Sequence, residues 1–298
     1  MDICRAFKNN RLMKALTGLT IQEFNSILIT FEKLLYEKAV CKKRKRKPGG
    51  GRKGELKKAS YKLFFILFYL KVYPTMDLAG FIFRVDKGQP CRWVQKFLPI
   101  LEQTLGRECV LPVRKINSIE EFTRLFPEVK EIIIDGVERR IQRPKKSKQQ
   151  TRTYSGKKKT HTRKNTITSA KRRILVVSPT KNGKFHDKKL LDKEGGLENI
   201  PPLIDVLVDK GYQGLDKDNK NNNNIFIPKK KPKGGELTEE EKEENRIISS
   251  FRMPVEHAIG GIKRFGCLSN VYRNKNGIDD KFILVCAGLW NYHLRMAA

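Results

Sequence analysis

The chain has 298 residues, of which 63 are Lys or Arg and 32 are Asp or Glu, so its formal net charge is +31. Its length allows one large domain or two ordinary ones, and 39% hydrophobic residues suffice for a packed core, which excludes wholesale disorder. So large a positive excess makes a polyanion the expected partner, although charge alone is also compatible with a ribosomal-type protein.

Cysteine spacing and hydropathy exclude two further classes. The six cysteines are scattered, with no Cys-x-x-Cys or Cys/His spacing, which argues against a zinc module and predicts reduced, buried thiols. No signal-peptide pattern is present, and the longest apolar stretch, residues 63–70, is far shorter than the ~20 residues of a membrane span. We therefore expect a soluble, intracellular protein without a membrane partner, in the cytoplasm or nucleoid of a prokaryote, or in the nucleus of a eukaryote.

The N-terminal segment predicts a helix followed by a basic linker. Thr20 and Glu23 form a capping-box pattern, and apolar residues at helical spacing follow it, so an amphipathic helix is expected from Thr20 to about Lys38. Residues 42–54 combine a run of Lys and Arg with three consecutive glycines. That composition predicts a flexible basic linker.

Three helices are predicted after the linker. Residues 61–72 are almost continuously apolar and predict a buried helix, Thr75 is placed to cap a second, and a third begins near Pro90. The order fits a helix-turn-helix, with a generic helical bundle as the alternative. One face of the third helix carries residue types that contact phosphates and base edges, namely Arg92, Gln95 and Lys96.

From about residue 128 the pattern changes to strands mixed with helices. Apolar runs end in acids at residues 131–135 and 205–209, β-branched stretches occupy 166–169 and 174–178, and a long helix is expected from a capping box at Thr238. We therefore predict an α/β (α+β) domain over residues 128–298, preceded by a helical DNA-binding region over residues 1–107.

Three acids of this second domain are candidates for one metal site. Asp135 and Asp209 follow apolar strand residues, so they are expected at the edge of the sheet where α/β proteins place ligands. Glu256 lies on the long helix, which could pack across the sheet. Three carboxylates without Cys or His suit Mg²⁺ or Mn²⁺, and two such ions ~3.5–4 Å apart catalyse phosphoryl transfer. Taken alone, Asp135 followed by Gly136 is better explained by a strand-end turn, Asp209 could likewise lie in a turn, and Glu256 could be a solvated acid on a helix.

The residues around Glu256 favour the functional interpretation. Arg252 precedes it by four residues and Lys263 follows it by seven, so the three share one helical face. Such a stripe facing a sheet edge is costly unless an ion or a charged ligand lies there.

A basic stretch, residues 139–173, follows Asp135 directly. Its Lys157, Lys158 and Lys159 are interleaved with Tyr154 and His161, so we expect the stretch to hold a DNA backbone beside the acids. A solvated charged loop is the alternative.

Taken together, these features resemble DDE-type insertion-sequence transposases, in the branch that has an N-terminal helix-turn-helix and is related to Harbinger transposase-derived nucleases. The resemblance covers nearly the whole chain. Its motifs are residues 134–138 (IDGVE), 154–161 (YSGKKKTH), 186–187 (HD), 208–213 (VDKGYQ) and 252–263, where Arg, Glu and Lys are separated by three and six residues.

The resemblance implies an RNase H-like catalytic core in which Asp135, Asp209 and Glu256 hold two Mg²⁺ or Mn²⁺ ions. Arg252 and Lys263 would then support the active site or contact DNA. It also implies cleavage of double-stranded DNA at transposon inverted repeats and strand transfer into target DNA. Synapsis of two ends implies a homodimer or larger assembly on DNA.

Two alternatives stay open, a domesticated or inactive DNA-binding derivative and a nuclease that cuts without transposing. His186 and Asp187 also stay open, between an accessory acid near the site and an ordinary helix N-terminus.

Overall fold

The computed structural model describes residues 3–40, 54–217, 221, 223–232, 234–274 and 277–297, so the predicted linker, except Gly54, lies outside the described residues. The chain divides into two compact units. We call residues 1–111, 262–270 and 276–298 the helical unit, and residues 112–261 and 271–275 the sheet unit. Within the described residues, no helix is both long and apolar enough to cross a membrane.

The helical unit begins with α1 (Ile3–Phe7), α2 (Asn10–Thr17) and α3 (Ile21–Val40). The predicted capping box at the start of α3 is present. The Thr20 N–H donates to the Glu23 carboxylate at 2.6 Å, and the Glu23 N–H donates to the Thr20 hydroxyl at 3.2 Å. These bonds satisfy N–H groups that the first turn of a helix leaves unpaired, and the predicted helix is confirmed.

The three helices predicted after the linker are confirmed as α4 (Ala59–Val72), α5 (Met76–Phe83) and α6 (Gly88–Arg107). Residues 63–70 of α4 are all buried. The Thr75 hydroxyl caps α5 by accepting the Leu78 N–H at 3.2 Å. α6 buries Trp93 and Phe97, and its polar residues at 92, 95 and 96 are exposed, as the periodicity predicts.

The C-terminal helices α11 (Gly266–Ser269) and α12 (Asp279–Ala297) also belong to the helical unit. This differs from the predicted division, which assigned all of residues 128–298 to the sheet domain. Residues 282–289 of α12 are all buried, and a helix that is apolar on every side must be surrounded by other helices. Leu105 and Leu111 lie 3.1 Å from where a Cβ on Gly288 would be, so this glycine permits close packing.

The sheet unit is built on a mixed sheet. Among the described residues its strands are β1 (Glu131–Arg140), β2 (Tyr154–Ser155), β3 (Thr160–Ala170), β4 (Arg173–Val177), β5 (Lys181–Asn182), β6 (Asp205–Val208) and β7 (Ile225–Phe226). The order is β2-β3-β1-β6-β7, with β4 and β5 also paired to β3. β3 is antiparallel to β1 and β4, whereas β6 is parallel to both β1 and β7. The predicted mixture of strands and helices is confirmed.

β1 does not end at Asp135, as the sequence predicted, but continues to Arg140. β6 ends at Val208, so its parallel ladder with β1 stops at the pair Ile134–Val208. Beyond that pair β1 stays bonded to β3, where Asp135 lies opposite Ile167. Asp135 is therefore at the edge of the parallel ladder, although its own strand continues.

The helices of this unit are α7 (Ile119–Leu125), α8 (Ser147–Thr153), α9 (Asp187–Lys193) and α10 (Glu239–Lys263), of which α10 ends in the helical unit. A buried cluster joins Leu191 of α9 to alternating residues of β1 and β6, including Ile134 and Val208. Alternating strand residues share one face of a sheet, so α9 covers that face. The predicted capping box of α10 is confirmed, because the N–H of Thr238 donates to the Glu241 carboxylate at 3.1 Å.

The prediction of buried thiols is only partly correct. Cys267 and Cys286 are buried, but Cys4 and Cys109 are exposed, and Cys41 lies outside the described residues. Cys109 lies two residues after the end of α6, has a φ of 54°, and donates its thiol to the Arg107 carbonyl at 3.8 Å.

Candidate active site

Asp135, on β1, and Asp209, the residue directly after β6, both contact Arg252 and therefore lie close together. Each directly follows a member of the last parallel pair, Ile134–Val208, so the two acids continue that register by one residue. Both are partly exposed, with side-chain exposures of 23% and 33%. The sequence prediction that two strand acids meet at one edge of the sheet agrees with this geometry.

Arg252 on α10 bridges the two aspartates. One guanidinium nitrogen is 3.3 Å from the Asp209 carboxylate, and the other terminal nitrogen is 3.8 Å from that of Asp135. Its side chain is 10% exposed, and its Nε atom is buried without a hydrogen-bond partner among the described residues. The two carboxylates therefore converge on one cationic group.

The electrostatics of Asp135 mark it as an unusual acid. Burial raises its pKa above the ordinary value, and the negative charges of Asp209 and Asp187 act in the same direction. A 2.7 Å hydrogen bond from the Gly136 N–H and the charge of Arg252 oppose that rise without cancelling it. A buried acid next to other acids favours neutralisation by a proton or a cation.

Of the residues that the structure describes, Glu256 does not join the two aspartates in a group of acids arranged to hold a metal ion. Glu256 follows Arg252 by one helical turn and its side chain is exposed. Lys263 is exposed too and falls in the helical unit. Among the described residues, no group of three or more His, Cys, Asp or Glu is arranged to hold a metal ion.

Asp187, whose role the sequence left open, lies next to the two aspartates. Its carboxylate is 2.9 Å from where a Cβ on Gly136 would be and 3.2 Å from where one on Gly211 would be. Sequence reasoning also missed Lys164, which donates to Asp187 at 3.1 Å and lies 3.2 Å from Glu138. The sequence did contain a signal for a close neighbour at this edge. Gly136 directly follows Asp135, and Gly211 lies two residues after Asp209.

Tyr212, in the segment after Asp209, was also missed. Its hydroxyl is buried without a hydrogen-bond partner among the described residues. Burial raises its pKa well above the ordinary value, and the charges of Asp187 and Asp135 raise it further. Its hydroxyl therefore lies in the electrostatic field of these acids.

The predicted DNA-contacting residues of α6 lie around a cavity of about 700 Å³ in the helical unit. Arg92 and Lys96 line it together with Lys57 and Lys62, whereas Gln95 is exposed nearby on the helix. Burial and the charge of Lys96 lower the pKa of Lys62. Like charges gathered in this way favour the binding of an anion.

Lys157, Lys158 and Lys159 lie in the turn between β2 and β3, and all three are exposed. Next to the turn, the ring of Tyr154 packs edge-on against that of His161, with centroids 5.6 Å apart. The turn therefore presents three cationic groups to solvent beside an exposed aromatic ring.

Comparison with known families identifies two segments of the chain, the first of which crosses the boundary between the units. Residues 134–291 match the DDE superfamily endonuclease family, and residues 55–107 match the helix-turn-helix of DDE superfamily endonucleases. The first match includes the Asp135, Asp209 and Glu256 positions, and the second spans α4 to α6. The chain belongs to the DDE superfamily of endonucleases.

Within the DDE superfamily of endonucleases, one relative of the chain is described as an insertion-sequence transposase. The chain is 31% identical over 293 residues to a protein of Microchaete diplosiphon described as the probable transposase for insertion sequence element IS702. The alignment covers 97% of this chain and 96% of that relative. No solved structure matches the chain significantly. The resemblance to insertion-sequence transposases inferred from the motifs is thus confirmed.

The residues at the sheet edge fit a divalent cation. Both converging donors are carboxylates, the ligand type that Mg²⁺ and Mn²⁺ prefer, and a guanidinium already bridges them. Burial and neighbouring acids also disfavour the negative charge of Asp135, which a bound cation would offset.

Proposed function

We propose that the chain is a transposase that cleaves DNA at transposon ends in a metal-dependent reaction and joins the freed 3′ end to target DNA. The observation that carries this proposal is the convergence of Asp135 and Asp209, from neighbouring parallel strands, on the single guanidinium of Arg252. A protein that only binds DNA has no need to bring two carboxylates from separate segments to one cationic group.

We propose that the sheet unit is an RNase H-like core. The mixed order supports this assignment, because β4, β3 and β1 are antiparallel whereas β1, β6 and β7 are parallel. Asp135 lies on β1 and Asp209 directly follows β6, at the edge where the parallel ladder between these two strands ends.

Asp135, Asp209 and Glu256 would hold two Mg²⁺ or Mn²⁺ ions. When bound, such ions activate the attacking hydroxyl and stabilise the leaving oxygen. Asp135 and Asp209 fix the donor oxygens on rigid strands, and Glu256 adds an exposed carboxylate one turn beyond Arg252. The guanidinium of Arg252 keeps the two aspartates together and offsets their repulsion, and it is placed to contact a DNA phosphate at the same edge.

Two surfaces would bind double-stranded DNA. The α6 face, with Arg92, Gln95 and Lys96, is proposed to recognise the inverted repeat, because an exposed polar face on the last helix of a helix-turn-helix is the part that reads bases. The Lys157, Lys158 and Lys159 turn would bind phosphates of the transposon or target DNA without reading sequence. Joining two ends would require at least a homodimer on the DNA.

The test uses the full chain and a supercoiled plasmid that carries the DNA flanking its gene. We expect nicking that requires Mg²⁺ or Mn²⁺, falls by at least about 100-fold in Asp135→Asn and Glu256→Gln, and yields joined products with target DNA. Asp205→Asn is the matched control, because Asp205 starts β6 at its other end and is hydrogen-bonded to Asn224 at 2.9 Å.

Each outcome of this test has a defined meaning. Cleavage that survives Asp135→Asn would overturn the assignment of the site. Metal-dependent cleavage without joined products would point instead to a nuclease that cuts without transposing. Specific DNA binding with no cleavage in any divalent metal would identify a DNA-binding derivative.

A further inference from the structure

The carboxylate of Asp187 occupies space that two glycines leave open. Its Oδ1 is 2.9 Å from where a Cβ on Gly136 would be, and its Oδ2 is 3.2 Å from where one on Gly211 would be. Gly136 directly follows Asp135, and Gly211 follows Asp209 by two residues. A Cβ at Gly136 would clash with this carboxylate and one at Gly211 would crowd it, so the two glycines leave room for a third acid.

Asp187 is held by a buried cation. The Lys164 ammonium donates to Asp187 Oδ1 at 3.1 Å and to the Phe185 carbonyl at 3.0 Å, and it is 3.2 Å from Glu138. The Lys164 and Glu138 side chains are 7% and 8% exposed. Burying such a group of charges is expensive and rarely gives more stability than apolar packing would, so its presence is better explained by function.

The charges around the sheet edge do not balance. Asp135, Asp209, Asp187 and Glu138 carry negative charges, whereas only Arg252 and Lys164 pair with them in the contacts described above. The set therefore has two more carboxylates than cationic side chains, an excess that one divalent cation would neutralise. The buried Tyr212 hydroxyl, without a partner among the described residues, adds an unused polar group beside Asp187.

We infer that Asp187 is a further carboxylate of the divalent-cation site that Asp135 and Asp209 form, oriented for that role by Lys164. The inference rests on the proposed function, because it assumes that a bound cation draws together carboxylates that, among the described residues, do not yet form a group arranged to hold a metal ion. Asp187 Oδ1 accepts from Lys164, whereas Oδ2 is the oxygen nearest to where a Cβ on Gly211 would be. The competing interpretation is that Asp187 only neutralises a buried lysine.

A double-mutant cycle separates the two roles without any measurement of cleavage. Mn²⁺ affinity of the full chain, free of DNA, is measured by titration calorimetry for Asp187→Asn, Lys164→Met and the double variant. If Asp187 serves the cation, Asp187→Asn weakens Mn²⁺ binding by about 10- to 100-fold in both the native and the Lys164→Met backgrounds. If it only neutralises Lys164, the double variant binds Mn²⁺ as tightly as Lys164→Met, and the inference fails.

Two further variants keep the test decisive. Asp192→Asn is the matched control on α9, since Asp192 is 44% exposed and lies 3.8 Å from Lys188, and it should bind Mn²⁺ normally. If Asp187→Asn does not fold, Gly136→Ala replaces it, because a Cβ there would lie 2.9 Å from Asp187 Oδ1, so the carboxylate must shift while every charge is kept. Normal Mn²⁺ affinity in Gly136→Ala would then overturn the inference.

The same titration keeps this inference distinct from the proposed function. Loss of Mn²⁺ binding in Asp135→Asn, with normal binding in Asp187→Asn, would contradict the role of Asp187 alone. Normal binding in Asp135→Asn would instead contradict the metal site itself.

Discussion

Each unit of the molecule contains an acid with a shifted pKa, and the pKa values of Glu23 and Asp135 are shifted in opposite directions. In the helical unit, burial acts to raise the pKa of Glu23, but hydrogen bonds from Thr20 and His293 outweigh it and hold the pKa below its ordinary value. In the sheet unit, burial raises the pKa of Asp135, and its hydrogen bond and ion pair do not compensate. Glu23 is fully paired by the fold, whereas Asp135 is left electrostatically unsatisfied.

The contrast shows how to separate structural from functional acids. Glu23 completes a capping box and is within hydrogen-bond distance of a C-terminal histidine, so its charge stabilises the folded chain. Asp135 faces Asp209 and Asp187 and shares one guanidinium with Asp209. A fold keeps such an arrangement when a ligand, here a cation, completes it.

The two units also differ in the kinds of side chain that they bury. α4 packs apolar side chains over its whole buried length. The sheet unit instead buries Arg139, Lys164 and Arg252, each less than 9% exposed. Apolar packing makes the helical unit stable, and buried charge makes the sheet unit chemically specific.

The largest expected change in stability is therefore in the helical unit. Phe65 is completely buried, with its ring centroid 5.2 Å from that of Phe83 and 5.0 Å from that of Trp93. Phe65→Ala should lower the free energy of unfolding by about 3–5 kcal/mol, measured by urea denaturation. Phe81→Ala, at a phenylalanine that is 84% exposed, should change it by less than about 0.5 kcal/mol. Equal effects would contradict the conclusion that apolar packing around Phe65 stabilises the helical unit.

The next largest effects come from the two buried acids, with opposite signs. Because the pKa of Glu23 is lowered in the folded chain, its stabilisation is present above the ordinary value of 4.5 and is lost as pH falls through the folded pKa. Glu23→Gln should cost about 1–3 kcal/mol at neutral pH, and the loss should shrink on acidification.

Asp135→Asn should have the opposite effect on the free energy of unfolding, measured in the presence of a chelator. The raised pKa of Asp135 means that its contribution is fully present below the ordinary value of 3.8 and is lost as pH rises through the folded pKa. The asparagine variant should thus be more stable than the native chain at neutral pH, by about 0.5–2 kcal/mol, and equal to it in acid. Thermal unfolding from acid to neutral pH measures both slopes, and parallel slopes would refute the contrast.

The smallest effect is expected at the exposed turn. Replacing Lys157, Lys158 and Lys159 by Ala should weaken DNA binding and make its salt dependence shallower, by about 0.9 in log–log slope for each DNA phosphate that the protein no longer neutralises. Arg124 and Lys130, exposed in the same unit before β1, provide the control pair. DNA binding is measured by fluorescence anisotropy at several salt concentrations. If both sets of variants lower the log–log salt slope equally per charge removed, the lysine turn attracts DNA only non-specifically.

Local patterns made much of the fold predictable. The capping boxes at Thr20 and Thr238 and the cap at Thr75 each lie within three residues of their partners, so the sequence contains the whole interaction. The apolar run of α4 likewise predicts a buried helix from its own residues. The pairing of Asp135 with Asp209 followed from the two strand patterns and the general placement of ligands in such sheets.

Other features depend on partners distant in sequence. β1 passes Asp135 because β3 continues to pair with it, which no pattern within β1 reveals. α12 joins the helical unit because its apolar surface is covered by helices from the other end of the chain. Asp187 is placed by Gly136, Lys164 and Gly211, three residues from three separate segments, so its position was not readable from the motif that contains it.

The most direct test of the central claim is to locate the cation on the protein itself. Fe²⁺ with ascorbate and peroxide generates hydroxyl radicals that cut a polypeptide backbone next to the bound metal, and mass spectrometry identifies the cuts. We predict cuts near Asp135 and Asp209 that excess Mg²⁺ suppresses and that Asp135→Asn abolishes. Cuts elsewhere in the chain, or cuts at these positions that neither Mg²⁺ nor Asp135→Asn removes, would contradict the proposal that these strands hold a catalytic cation.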